Sequence, residues 1–91
     1  MSVKIKISTP IRRATQGLSE LESGGETIRA ILNDITSKHP ALKSVIFKDS
    51  SGLQEFITIY LNQDDIRFLS GLDTPVNKGD SISILQAVAG G

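Results

Sequence analysis

The residues able to do chemistry in this 91-residue chain are few. It has no cysteine, which removes disulfides, thiolate zinc sites, iron–sulfur clusters and thiol nucleophiles together. Its one histidine, His39, would have to carry any Ser-His-Asp site, and a multi-histidine metal site is impossible. Phosphate-loop, dinucleotide, zincin, nucleophile-elbow and EF-hand spacings are all missing. Asp64-Asp65 is a carboxylate pair, but adjacent strand residues point to opposite faces, so it reads as a polar turn. Arg12-Arg13 has the charge to hold an anion and reads more simply as a solvated hairpin loop. What remains is the end of the sequence, Val88-Ala89-Gly90-Gly91. Gly-Gly is costly to order and brings no side-chain contact. It offers a slim, extended peptide and an unhindered terminal carboxylate, able to thread a narrow channel into another protein's active site. A nucleophile could reach the carbonyl of Gly91 with no Cβ in the way.

The elements that must position this tail follow from periodicity. Val3, Ile5 and Ile7 alternate with Lys4, Lys6 and Ser8, a half-buried strand ended by Pro10. Residues 11–17 read as a polar turn and 18–23 as a short return strand, making an antiparallel hairpin. Gly24-Gly25 breaks the chain, and Thr27 is a good N-cap. Ile28, Ile31, Leu32 and Ile35 then follow at i, i+3, i+4 and i+7, an amphipathic helix. Lys38 and His39 suit its last turn, and Pro40 stops it. Residues 41–47 are open between helix and strand, and 49–52 read as a loop. Glu55 to Leu61 is the clearest central strand, and 62–65 a turn. Residues 66–69 read as a short strand, 77–80 as another turn and 81–85 as the final strand. Strands around one helix give an α+β chain; a β-grasp, a mixed sheet packed on one main helix, is the arrangement expected. The division expected is a single domain over 1–85 and a flexible tail over 86–91.

Strand parity adds a second feature. Ile57, Ile59 and Leu61 face inward, as do Ile82 and Ile84. Phe56, Tyr60 and Leu85 then point outward beside the tail, an apolar patch of the sort that marks a partner site. The alternative is that a loop around Phe68 and Leu69 folds over them. Phe68 is therefore included in the candidate partner-binding patch.

Ten basic and ten acidic residues give zero net charge, so no nucleic-acid partner is expected. No apolar run approaches the ~20 residues of a membrane helix, and the N-terminus lacks a signal-peptide core. A cytoplasmic chain with no membrane partner is expected, and one that is not an enzyme.

From Phe56 to Gly91 the residues F-I-T-I-Y-L-N-Q-D-D-I-R-F, G-L-D-T-P and K-G-D-S-I-S-I-L-Q-A-V-A-G-G resemble the ubiquitin-like sulfur carriers of the ThiS/MoaD superfamily. They are most similar to the type used in thiocarboxylate-dependent cysteine biosynthesis, with Gln86 where that type usually has proline. The resemblance implies a β-grasp fold and a chemistry on Gly91. An adenylating enzyme of the ubiquitin-activating type, like ThiF or MoeB, would use ATP to convert the terminal carboxyl to an acyl-adenylate. A sulfur donor would then give the thiocarboxylate. Val88, Ala89 and Gly90 would lie in the partner's channel. The carrier itself would bind no cofactor and no metal. The acceptor implied is a pyridoxal-phosphate cysteine synthase, followed by a JAMM-type metalloprotease. Molybdopterin- or thiamine-type sulfur donation, covalent protein modification and a non-covalent adaptor role remain the alternatives at this point.

Overall fold

A computed structural model of the chain describes residues 2–49 and 52–87. The element order is β1 (Val3–Ile7), a 3-10 helix (Thr9–Thr15), β2 (Glu20–Ser23), α1 (Ile28–Lys38), α2 (Ala41–Ile46), β3 (Phe47–Asp49), β4 (Gly52–Leu53), β5 (Ile57–Leu61), β6 (Asp64–Asp65), 3-10 turns at Ile66–Phe68 and Gly71–Asp73, and β7 (Ser81–Gln86). Five strands form one sheet in the order β2-β1-β7-β5-β6, while β3 and β4 form a separate two-stranded sheet. The first and last strands, β1 and β7, run parallel; the other pairs are antiparallel. The sheet is therefore mixed, and with one long helix packed on it the chain has the β-grasp, α+β architecture.

One face of the sheet carries the core. Val3, Ile5 and Ile7 of β1, Ile57, Ile59 and Leu61 of β5, and Ile82 and Ile84 of β7 are all buried. Against them lie Ile28, Ile31, Leu32 and Ile35, the stripe that the 3.6-residue period of α1 produces. The start of α1 is held as its residues dictate: the Thr27 hydroxyl accepts from the Ala30 amide at 3.1 Å. A Cβ at Gly25 would stand 2.8 Å from the Ile31 nitrogen, so the chain passes the helix where only glycine fits. His39 is the C-cap, its amide donating to the Ile35 carbonyl at 2.8 Å.

Three local expectations need correction, and one segment left open by the sequence is resolved. Residues 11–17 are not a solvated turn: Thr9–Thr15 is a 3-10 helix that buries Ile11, Ala14 and Thr15. Pro10 begins it as a residue pre-set for a helical φ. The open segment 41–47 is helix through Ile46, burying Leu42 and Ile46, and strand from Phe47. The expected strand at 66–69 is a 3-10 turn, because the Asp65 carboxylate accepts from the Arg67 amide at 2.9 Å and caps it. Finally, β7 extends to Gln86, which pairs with Ile57.

Candidate functional site

Strand β7 is the middle strand of five and brings the chain to the tail. Gln86 is its last residue, and the Ala87 amide donates to the Phe56 carbonyl at 2.8 Å. That bond ties Ala87 to the turn before β5. Val88, Ala89, Gly90 and Gly91, named from the sequence as the reactive tail, lie outside the described residues. The site that can be built is the root of the tail and the surfaces beside it.

The outer face of the sheet is ordered by register. Lys4 and Lys6 of β1 face Glu22 and Glu20 of β2 across their ladder. Next come Ser81 and Ser83 of β7, then Leu85 opposite Thr58 and Ser83 opposite Tyr60. Leu85 and Tyr60 are thus diagonal neighbours on one face, within reach of each other's side chains. Leu85 is 41% exposed and Tyr60 half-buried. Beyond Tyr60, on the same face, its ladder partner Asp65 is gripped by Arg67. The guanidinium donates Nη2 at 2.7 Å and Nε at 3.1 Å to one carboxylate oxygen. These bonds from Arg67, first through its side chain and then its backbone amide, hold the Asp65 carboxyl below the usual range, and Tyr60 lies within electrostatic reach of the same guanidinium. Across the sheet the chemistry therefore passes from ion-paired charge, through hydroxyls, to an apolar and aromatic strip at the tail, and back to a fixed ion pair.

The expected patch of Phe56, Tyr60, Leu85 and Phe68 is only partly assembled. Tyr60 and Leu85 share the outer face as diagonal neighbours. Phe68 is 84% exposed and Leu69 also exposed, so the turn that carries them does not close over the strip. Phe56 lies outside β5, in the turn before it. The Ile57 amide donates to the Gln54 carbonyl at 3.1 Å, a tight turn that ends the strand's alternation just before Phe56 would join it. Phe56 lines a groove of about 510 Å³ with Pro10, Arg13, Ser44, Val45 and Gln86. Sequence reasoning missed this groove, whose lining comes from the 3-10 helix, α2, the turn before β5 and the end of β7. The one available signal was Arg12-Arg13 following Pro10. The Arg12 Nε donates to the Ile7 carbonyl at 3.0 Å, so only Arg13 reaches the groove.

Comparison with known proteins extends the geometry. The ThiS family matches residues 5–91. A sulfur carrier protein CysO of Mycobacterium tuberculosis is 37% identical over 93 aligned residues, covering all of both chains. Among solved structures, a BexX/CysO complex of Amycolatopsis orientalis contains a chain that is 38% identical, covers 98% of this chain and 99% of its own, and superposes with a TM-score of 0.89. The small archaeal modifier protein 1 of Methanosarcina acetivorans is also 38% identical, covering 99% of this chain and 96% of its own at a TM-score of 0.87. With a family match over almost its whole length and a ubiquitin-like β-grasp that superposes on these carriers, this chain belongs to the ThiS family.

Proposed function

We propose that this chain is a sulfur carrier for cysteine biosynthesis and that Gly91 bears the sulfur. The supporting observation is the full-length likeness to a CysO sulfur carrier, joined to a last strand that ends at the domain surface five residues before Gly91. A carboxylate is a poor electrophile. An adenylating enzyme transfers AMP from ATP to the Gly91 carboxyl and releases pyrophosphate. A sulfide donor then attacks the acyl carbon, AMP leaves, and a thiocarboxylate remains. The sulfur sits on the main chain, so the carrier needs no cysteine, and it has none. In this reading the protein is a co-substrate and not a catalyst. Val88, Ala89 and Gly90 thread the partner's channel, and Tyr60 and Leu85 face the partner beside it. A pyridoxal-phosphate cysteine synthase accepts the sulfur, and a JAMM-type metalloprotease releases the product. No helix among the described residues is long and apolar enough to cross a membrane.

The likeness to an archaeal modifier protein at 38% identity favours a second reading. The same adenylate can pass the glycyl group to a lysine amine, forming an isopeptide with loss of AMP. Isopeptide-linked forms in cell extract distinguish this route from sulfur transfer.

The test is a chain with one alanine appended after Gly91. It should fold normally, because its only change lies outside the core. Mixed with an adenylating enzyme that processes the native chain, ATP and sulfide, it should form thiocarboxylate at least ~100-fold more slowly, because the reacting carbon is misplaced and crowded. Intact mass spectrometry reads the oxygen-to-sulfur exchange. Equal rates for the two chains, without trimming, would defeat the terminal-glycine mechanism.

A further inference from the structure

We propose that the groove beside the root of the tail is the second half of the docking surface for the adenylating enzyme. It receives an apolar side chain of that enzyme against Phe56 and Val45, and a carboxylate of that enzyme at Arg13. The inference rests on the reading of Gly91 as the reacting residue.

Reach makes the first argument. The bond from the Ala87 amide to the Phe56 carbonyl fixes the position of Ala87. Four residues follow it, which span at most about 14 Å when extended. An active site that closes around Gly91 must therefore bring its walls down onto whatever surrounds Ala87. Two surfaces do so, divided by strand parity. Leu85 points to the outer face with Tyr60, while Gln86 points to the other side, into the groove. An enzyme that met only the Leu85 side would leave the opposite flank of the same strand open to water at the mouth of its channel.

Chemical character makes the second. Phe56 is 38% exposed, and Val45 is only partly buried against the core. Pro10 and Ser44 complete the walls, and Arg13 stands at the rim. The four arginines divide clearly among the described residues. Arg12 bonds the Ile7 carbonyl, Arg29 pairs with Asp73 and Arg67 with Asp65. Arg13 is exposed and makes no hydrogen bond or ion pair among the described residues. A guanidinium left open at the edge of an apolar groove matches a partner carboxylate, which it can hold through two parallel bonds. The partner surface is thus an active-site rim with an acidic residue next to an apolar one.

The experiment measures ATP–pyrophosphate exchange against carrier concentration, with an adenylating enzyme that turns over the native chain. Arg13→Glu and Phe56→Asp should each raise the half-saturating carrier concentration about tenfold, with the rate at saturation unchanged because the reacting end is intact. Lys78→Glu, beyond the opposite end of β7, should change neither quantity. Thermal melts accompany each variant, and Arg13→Glu should melt like the native chain because Arg13 bonds nothing described. If both groove variants saturate like the native chain, the inference is overturned. It is also overturned if deleting Gly90-Gly91 shifts the Arg13 Nε resonance in the enzyme-free carrier, since the groove would then hold the chain's own tail. The two layers fail separately. Normal exchange by the alanine-extended chain removes the terminal-glycine reading, whereas loss of exchange there with native saturation by Arg13→Glu removes only the groove.

Discussion

The two ends of β7 are built from opposite chemistry. Where the strand begins, polar side chains clasp the backbone. Asp80 accepts from the Asn77 amide at 2.8 Å and from the Asn62 side-chain amide at 3.2 Å. Asn62 in turn accepts from the Ser81 amide at 3.0 Å through its Oδ1, and its own amide donates to the Ser81 carbonyl at 2.6 Å. Gly79 makes the turn possible with φ at +89°. Where the strand ends, one backbone bond from Ala87 to Phe56 holds the chain, and the surroundings are Leu85, Tyr60, Phe56 and Val45. The first end spends its polar groups inside the molecule. The second leaves apolar surface and one arginine facing out, which helps folding little and suits a partner.

That contrast can be broken at its centre, at either end, or beside it. The largest effect is expected from Ile84→Ala, which removes a fully buried side chain from the stretch the two ends share. Urea unfolding should show a loss of roughly 2–5 kcal/mol, a large part of a small domain's stability. Leu85→Arg comes next. It should raise the half-saturating carrier concentration in ATP–pyrophosphate exchange about tenfold while moving the unfolding midpoint little, since Leu85 is exposed. Asp80→Ala is its mirror. Two hydrogen bonds disappear, costing about 1–2 kcal/mol in urea unfolding, with exchange kinetics unchanged. An Asp80 variant that saturates the enzyme poorly, or a Leu85 variant that does not, would dissolve the division between the two ends.

The smallest effect is in pH. Asp65 has a carboxyl pKa lowered in the folded state by Arg67. Its contribution is therefore fully present above the unfolded value of about 4 and is lost as pH falls through the lower folded value. Native protein should melt above Asp65→Asn at pH 7, and the gap should narrow steadily below about pH 4. A gap that is constant from pH 7 to pH 2.5 would mean that the ion pair beside Tyr60 does not stabilise the fold.

Much of the frame was legible because period and burial coincide. In β1, α1, β5 and β7 every second residue, or every third and fourth, is an isoleucine, leucine or valine, and each one so marked is buried. Thr27 was legible as a cap because its hydroxyl acts within its own helical turn. Thr9–Thr15 was not, since a helix of this length shows no repeat and Ile11 stands alone among polar neighbours. Residues 41–47 were not, because one apolar run serves two elements. Phe56 shows where strand parity stops. Alternation was carried one residue past the strand, where a turn bonded from Ile57 to Gln54 holds Phe56 against the groove it lines with Pro10 and Val45. The tail expected from residue types lies outside the described residues, and the groove beside Gln86 joins four separate segments, which no local pattern announces.

The parallel pairing of β1 with β7 also has a mechanical meaning. The strand that leads to the tail is bonded along both sides, to β1 through four residue pairs and to β5 through five. A pull on the tail along the strand axis loads both ladders in shear, so their bonds share the force and cannot be peeled one at a time. An enzyme that drew the terminus into a channel, as proposed above, would tug against the strongest direction of the fold. The last strand is thus fastened to the body of the domain along both of its sides up to Gln86.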